Sequence, residues 1–342
     1  MLKRELNKIF IKRGLVYFFL VVLVAEAGLI FSRVSRELPT AADRELYFSL
    51  VREFSGEQTD EKKAALAEEK RLYDEAPFAM DDMGQYSKYL SGRTGGWVFF
   101  EDADYAVSHG TQIINCCLWR ALYPKASPDL LPAAAMLVFV IVSETSENET
   151  NVTMLKSTSP YGKKRLYRLD AAIGITLAGL LSLMVSVLRL AAAYRMFGLS
   201  GVGLPLESLP VFENSPMPSL SLLQGFLLVC AMSALGLAAY TSLAFMIGRL
   251  TGSALTTALL SVLAVILPPY VLDAPALYYF SPVSLMQSIG FLYGDIVWEG
   301  EQYGGRIVWS TAAGRGSLAF SVCFALILMI AALTTGKRRM EH

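Results

Sequence analysis

The sequence predicts an all-α polytopic membrane protein with six transmembrane helices and a mainly helical extracytoplasmic domain between the first and the second. Three observations lead there. Apolar residues fill 54% of the 342 positions and charged residues only 18%, below the roughly 25% usual for soluble domains. The shortfall is concentrated in windows of about 20 residues nearly free of charge, the length that crosses a hydrocarbon core of roughly 30 Å. The basic residues of the short connections collect on one side once those windows are threaded alternately through a bilayer.

The first window is 15–31, LVYFFLVVLVAEAGLIF. No small-x-small cleavage site follows it, so it reads as an uncleaved anchor and not a signal peptide. Before it, Leu2, Leu6, Ile9 and Phe10 share one helical face, and Lys3, Arg4, Lys8 and Lys12 occupy much of the remainder. Residues 1–31 are therefore an amphipathic helix on the cytoplasmic surface joined to the first span, or one continuous first span. Residues 32–129 form the extracytoplasmic domain. Within it 41–54 and 60–76 read as helices, because Leu46, Leu50 and Phe54, then Leu66 and Tyr73, recur at helical spacing. Ser55-Gly56 between them reads as the turn of a helical hairpin. Gly92 to Gly96 marks a second loop, and Trp97-Val98-Phe99-Phe100 is a strand or an interfacial wedge.

The remaining spans lie in 130–342. They are 130–143, 171–194, 220–247, 253–272 and 317–335. Inside lipid each backbone polar group must bond within its own segment, so all are expected to be helical. The second is short for a span, and topology decides it. With six spans both basic tails lie in the cytoplasm: Lys3, Arg4, Lys8, Lys12 and Arg13 at the start, Lys337, Arg338 and Arg339 at the end. The loop 144–170, with Lys156, Lys163, Lys164, Arg165 and Arg168, joins them there, as does Arg249 between spans four and five. Gly225, Ala231, Ala234, Gly236, Ala238 and Ala239 crowd the fourth span and allow close helix approach. Pro268-Pro269 is expected to break or kink the fifth. Trp298, Tyr303 and Trp309 look like an aromatic belt at the outer headgroups.

Several function classes fall away. Formal net charge is zero and no basic run is long enough to track a phosphate backbone, which argues against nucleic acid. Four cysteines without CxxC spacing and two histidines argue against a metal centre. Cys116-Cys117 are adjacent, and free thiols or pairing elsewhere are both open. Gly162-Lys163-Lys164 and Gly336-Lys337-Arg338 lack the spacing of a phosphate-binding GxxxxGK[ST], and HExxH and GxSxG are absent. No catalytic residue is assigned, and the chain is expected not to be an enzyme and to carry no cofactor of its own.

Two ionisable residues sit inside spans. Glu26 is five residues before the outer end of the first, and Arg189 five before that of the third. Both then lie about 7–8 Å below the outer boundary. Charges at depth are usually paired or water-facing, so the two form an ion pair or a polar lining of a translocation path. The competing reading is that each snorkels separately to the interface.

The loop ETSENETNVTMLKSTSPYGKKRLYRLD (144–170) opens acidic and closes basic. A helical turn ending at Ser159-Pro160-Tyr161-Gly162 gives a compact docking element, and the basic half can also rest on anionic lipid. With this loop the chain resembles the permease subunits of ABC transporters of the type-2 exporter class, in a Gram-positive-like bacterial form. The resemblance is carried by MLKRELNKIFIKR, the six spans, and the large outer loop with FSGEQTDEKKAALAEEK. It is carried further by Glu144 followed by LKSTSPYGKKRLYRLD, the short loop at Gly248-Arg249, and the re-entrant-looking YFSPVSLMQSIG before the last span. The family usually has a glycine where Glu147-Asn148-Glu149 stands here. The resemblance implies a dimer with a second permease copy or paralogue, each engaging a separate ABC ATP-binding subunit that binds ATP and Mg. It implies that Glu144, Tyr161, Gly162, Lys163, Lys164 and Arg165 belong to the ATPase-coupling loop. It implies export of a hydrophobic or amphipathic substrate (drug, lipid or peptide) across the cell membrane, with both termini cytoplasmic. The alternative from another class is a membrane sensor whose extracytoplasmic domain binds a ligand.

Overall fold

The computed structural model describes residues 14–78, 83–123, 130–149, 162–213, 215–270, 281–286, 290–293, 296–298, 305–307 and 311–334. These residues are almost entirely helical. Three helices are long and apolar enough to cross a membrane: α1 (Leu15–Glu37), Tyr167–Phe197 within α8 (Gly162–Phe197), and α9 (Leu222–Thr251). Three more helices contain shorter apolar stretches: α7 (Leu130–Glu149), α10 (Ala254–Tyr270) and α13 (Thr311–Thr334). The expected windows thus all fall on apolar helices. Their limits differ. α7 runs past 143 to Glu149, and α8 begins at Gly162 and not at 171. The basic stretch Lys163–Arg168 is therefore helical backbone that prolongs α8 beyond its apolar part.

α9 is the hub of these six. It packs against α7, α8, α10 and α13, and against the short α11 (Pro282–Met286). The small-residue stripe explains the last contact. A side chain at Gly236 would place its Cβ 2.7 Å from the Met286 nitrogen, so α11 is seated on bare α9 backbone with 281–286 wholly buried. The six helices alternate in direction. The ends of α7, α9 and α13 meet the start of α8 around Arg249. Thr251 of α9 bonds Thr257 in the first turn of α10, and Phe19 near the start of α1 packs on Phe139 of α7. We call this the junction end. α10 is still helical through Pro268-Pro269 to Tyr270, the last described residue there, so the expected break does not fall at the prolines.

The opposite end carries the insert: α2 (Ala41–Phe54), α3 (Asp60–Glu75), a 3-10 turn (Ala76–Phe78), α4 (Met83–Ser91), α5 (Arg93–Ser108) and α6 (Cys116–Leu122). Thr40 opens α2 with a reciprocal capping box to Asp43, and Thr59 caps α3 through the Lys62 amide. The expected hairpin of α2 on α3 is corrected, because α2 packs chiefly on α5. The glycines make that possible. A Cβ on Gly95 would fall 2.0 Å from the Asp43 carbonyl oxygen, and one on Gly96 2.5 Å from the Tyr73 ring. Gly92–Gly96 is thus the opening of a helix at a close crossing, not a loop. Trp97–Phe100 is neither strand nor wedge but the second turn of α5. With α2, α3 and α4 around it, this helix buries Val98, Phe99 and Phe100 together, leaving Trp97 56% exposed.

The insert and the bundle share one core. Leu46, Tyr47, Phe99 and Trp119 belong to the same buried cluster as Ile30 and Val34 of α1, Phe197 of α8, and Leu222 and Phe226 of α9. Two 3-10 turns, Leu206–Ser208 and Pro210–Phe212, close the gap between α8 and α9. After α11 and α12 (Gly290–Tyr293), a two-stranded antiparallel ribbon departs from the all-α expectation: β1 (Ile296–Trp298) pairs β2 (Gly305–Ile307). Trp298 lies on β1, while Tyr303 and Trp309, like residues 1–13, lie outside the described residues.

Candidate functional site

The most concentrated polar chemistry in the apolar bundle is at the junction end. Arg249 lies in the last turn of α9, where a cation suits the helix dipole. Its side chain is 3% exposed and that of its ion-pair partner Glu144, on α7, 11%. Nε faces Glu144 Oε1 at 3.4 Å. Nη1 donates to the Ala332 carbonyl at 2.5 Å, and Nη2 to the Tyr167 carbonyl at 2.6 Å. Ala332 lies in the last turn of α13, where helical carbonyls lack partners of their own. The guanidinium also lies 5.4 Å from the Tyr167 ring and 5.5 Å from that of Phe245. One planar cation with several fixed donors therefore joins four helices, a role that a point charge cannot fill.

Below this cluster an aromatic column runs inward. Phe245 meets Phe139 edge to face at 6.2 Å, and Phe139 meets Phe19 at 6.3 Å. Gly174 of α8 leaves room for it, since a Cβ there would approach Phe245 to 2.5 Å. The column links α1, α7, α8 and α9 in the layer behind Arg249.

Of the sequence-assigned coupling residues, Glu144 is the one whose side chain the structure places. Gly162 begins α8, and Lys163, Lys164 and Arg165 follow in its first turn with side chains outside the described set. Tyr161 lies outside the described residues, as do Ser159-Pro160. Arg249 is corrected from a loop base to a buried helical residue. Only its position after a long apolar run hinted at burial. Its acceptors are two backbone carbonyls and a carboxylate 105 positions away, which no local pattern announces. Asp170, one turn beyond Tyr167, is also buried, which its place at the end of a charged stretch does not announce.

Glu26 and Arg189 are on neighbouring helices. α1 and α8 pack together, running the same way. Between them is a cleft of about 470 Å³ lined by apolar side chains, from Leu20 to Ala27 and from Leu180 to Leu188. Glu26 precedes the last lining residue of α1 and Arg189 follows the last of α8, so both stand at one end of the cleft. Glu26 is 2% exposed, and Arg189 is half-buried. The snorkelling reading does not fit Glu26, whose carboxylate is enclosed by protein.

Cys116, Cys117 and Cys230 are buried free thiols, and Cys323 is exposed. No cluster of His, Cys, Asp and Glu suited to a metal ion occurs among the described residues. No family description, curated protein or solved structure matches this chain.

Proposed function

We propose that the chain is the membrane-spanning subunit of an ATP-driven ABC exporter, acting in the cell membrane with both termini in the cytoplasm. Its cargo would be a hydrophobic or amphipathic molecule. ATP and Mg are held by a separate ATP-binding subunit, and a second permease copy or paralogue completes the pathway. The observation that carries this reading is the Arg249 junction. It binds the ends of α7, α9 and α13 to the start of α8 through Glu144 and Tyr167, near the two ends of the acidic-then-basic loop 144–170. A push on that connection is therefore delivered to four helices at once. The resemblance of this connection to an ATPase-coupling loop supplies the motor. ATP binding draws the partner ATPases together, the junction ends follow, and the bundle is biased toward its other conformation by differential nucleotide binding. The basic turn Lys163–Arg165 also has anionic lipid within reach at the headgroups.

Affinity purification of the intact chain from its membranes in mild detergent tests the proposal. A stoichiometric ATPase that is lost with 150–161 deleted supports it. A chain that purifies without any ATPase favours the sensor reading, in which the insert binds a ligand and the same junction relays the signal.

A further inference from the structure

Helix α6 is the joint between the insert and the bundle. On the bundle side, Asn115 Nδ2 donates to the Phe197 carbonyl at the end of α8 (2.6 Å), and Trp119 Nε1 donates to the Ser200 carbonyl (2.9 Å). The Tyr123 hydroxyl donates to the Leu222 carbonyl in the first turn of α9 (2.6 Å). On the insert side, Arg120 Nη2 reaches α5, 2.5 Å from Asp102 Oδ1 and 3.2 Å from Glu101 Oε2. Tyr47 of α2 completes the seat. Its hydroxyl donates to Asn115 Oδ1 (3.2 Å) and accepts from the Cys117 amide (3.3 Å).

Asp102 is poorly provided for as an anion. It is 5% exposed, its Oδ2 has no hydrogen-bond partner, and Arg120 Nε has none either. A buried carboxylate with half of its acceptor capacity unused disfavours charge, whereas the neutral acid loses less on leaving water. The groups that face it are Arg120, Cys116, Glu101 and Tyr47, with Cys117 and Glu37 behind them. Burial raises its affinity for a proton and the Glu101 charge adds to this. Arg120 and the Cys116 thiol oppose them, but burial prevails, and the carboxyl is pushed up to about 6.

We propose that Asp102 is a proton-binding site that sets how firmly the insert is seated on the bundle, holding its proton when α6 is docked and giving it up as α6 works loose. When α6 lifts, water reaches the carboxyl and it returns toward its ordinary 3.8. The docked form binds more protons between those two values, so docking weakens as pH rises through that window, by at most about tenfold per pH unit, and changes little above about pH 6. Acid tightens the joint, although it dissolves the Asp102–Arg120 ion pair. The inference does not depend on the transport reading.

Amide hydrogen exchange on the full chain in nanodiscs, corrected for the pH dependence of chemical exchange, reads the docking of 115–123 directly. We expect protection there to be at least about tenfold lower at pH 7 than at pH 4.5. Asp102→Asn keeps the same protection at both. Arg120→Gln moves the transition to higher pH, because Arg120 is the group that holds the carboxyl down. Equal protection of the unaltered chain at the two pH values, or an Asp102→Asn chain that follows it, overturns the proposal. If Asp102→Asn does not fold, the unaltered chain and Arg120→Gln still decide.

Discussion

Arg249 shows how much a single side chain can hold. Its removal leaves Glu144 without its ion-pair partner and takes donors from two carbonyls, and breaking a buried ion pair from one side costs about 3–5 kcal/mol. Arg249→Met is expected to destabilise the protein in detergent by that order, read as a fall in the thermal unfolding midpoint. Arg249→Lys recovers little, because one ammonium cannot address contacts on three other helices. Glu144→Gln is milder, since an amide oxygen still accepts from Nε. A midpoint that Arg249→Lys restores in full would show that charge alone matters there. Gly95 makes a second test. Its replacement by Ala puts a methyl 2.0 Å from the Asp43 oxygen, an overpacking worth about 1–3 kcal/mol, read as faster proteolysis of the insert. Neither residue was legible in the sequence as what it is. Arg249 looked like one more cytoplasmic base and Gly95 like part of a loop, because the groups that give them meaning arrive from other helices.

Elements were legible where they obey one period. The apolar windows, α2 and α3 are legible as helices because an apolar face, or an unbroken apolar run of about 20 residues, leaves a mark in the sequence. α5 was misread because it is enclosed by three helices, so its apolar residues run consecutively and its glycines imitate a turn. α7 and α8 run past the expected spans because charge marks where an apolar window stops, not where a helix does. The α2–α5 crossing has its own acid dependence. Burial alone would raise the Asp43 carboxyl, but hydrogen bonds from Thr40, the Gly95 amide and the Thr94 amide outweigh it and hold it below its ordinary 3.8. A depressed carboxyl gives stability that is present above its unfolded value and lost as pH falls through the folded one. The insert is therefore expected to weaken below about pH 3.8, opposite in sign to Asp102 and below its window. Asp43→Asn should flatten this acid limb in a pH series of unfolding midpoints. Thr40→Ala, which removes half of the capping box, should cost about 1 kcal/mol at neutral pH.

At the scale of the whole molecule, the alternating helix directions and the shared core fix the insert at one end of the bundle and Arg249 at the other. Among the described bases of the connections, Arg168 and Arg249 stand at or near the junction end and Arg195 at the insert end, whereas the insert carries mixed charge. The proposed orientation lays a bilayer across the apolar helices between the two ends, with the junction in the cytoplasm by the preference for basic residues inside. Labelling with a membrane-impermeant maleimide tests this without assuming any function. The native thiols at 116, 117 and 230 are buried, so Cys323→Ser gives a quiet background. Asp60, fully exposed at the start of α3, and Lys163, at the start of α8, serve as single-cysteine positions. Asp60→Cys should react on intact cells, and Lys163→Cys only after permeabilisation. The reverse result would place the loop 144–170 outside, where no cytoplasmic ATPase can reach it. The buried junction would stand unchanged, but it would then belong to a receptor that reports inward through its insert.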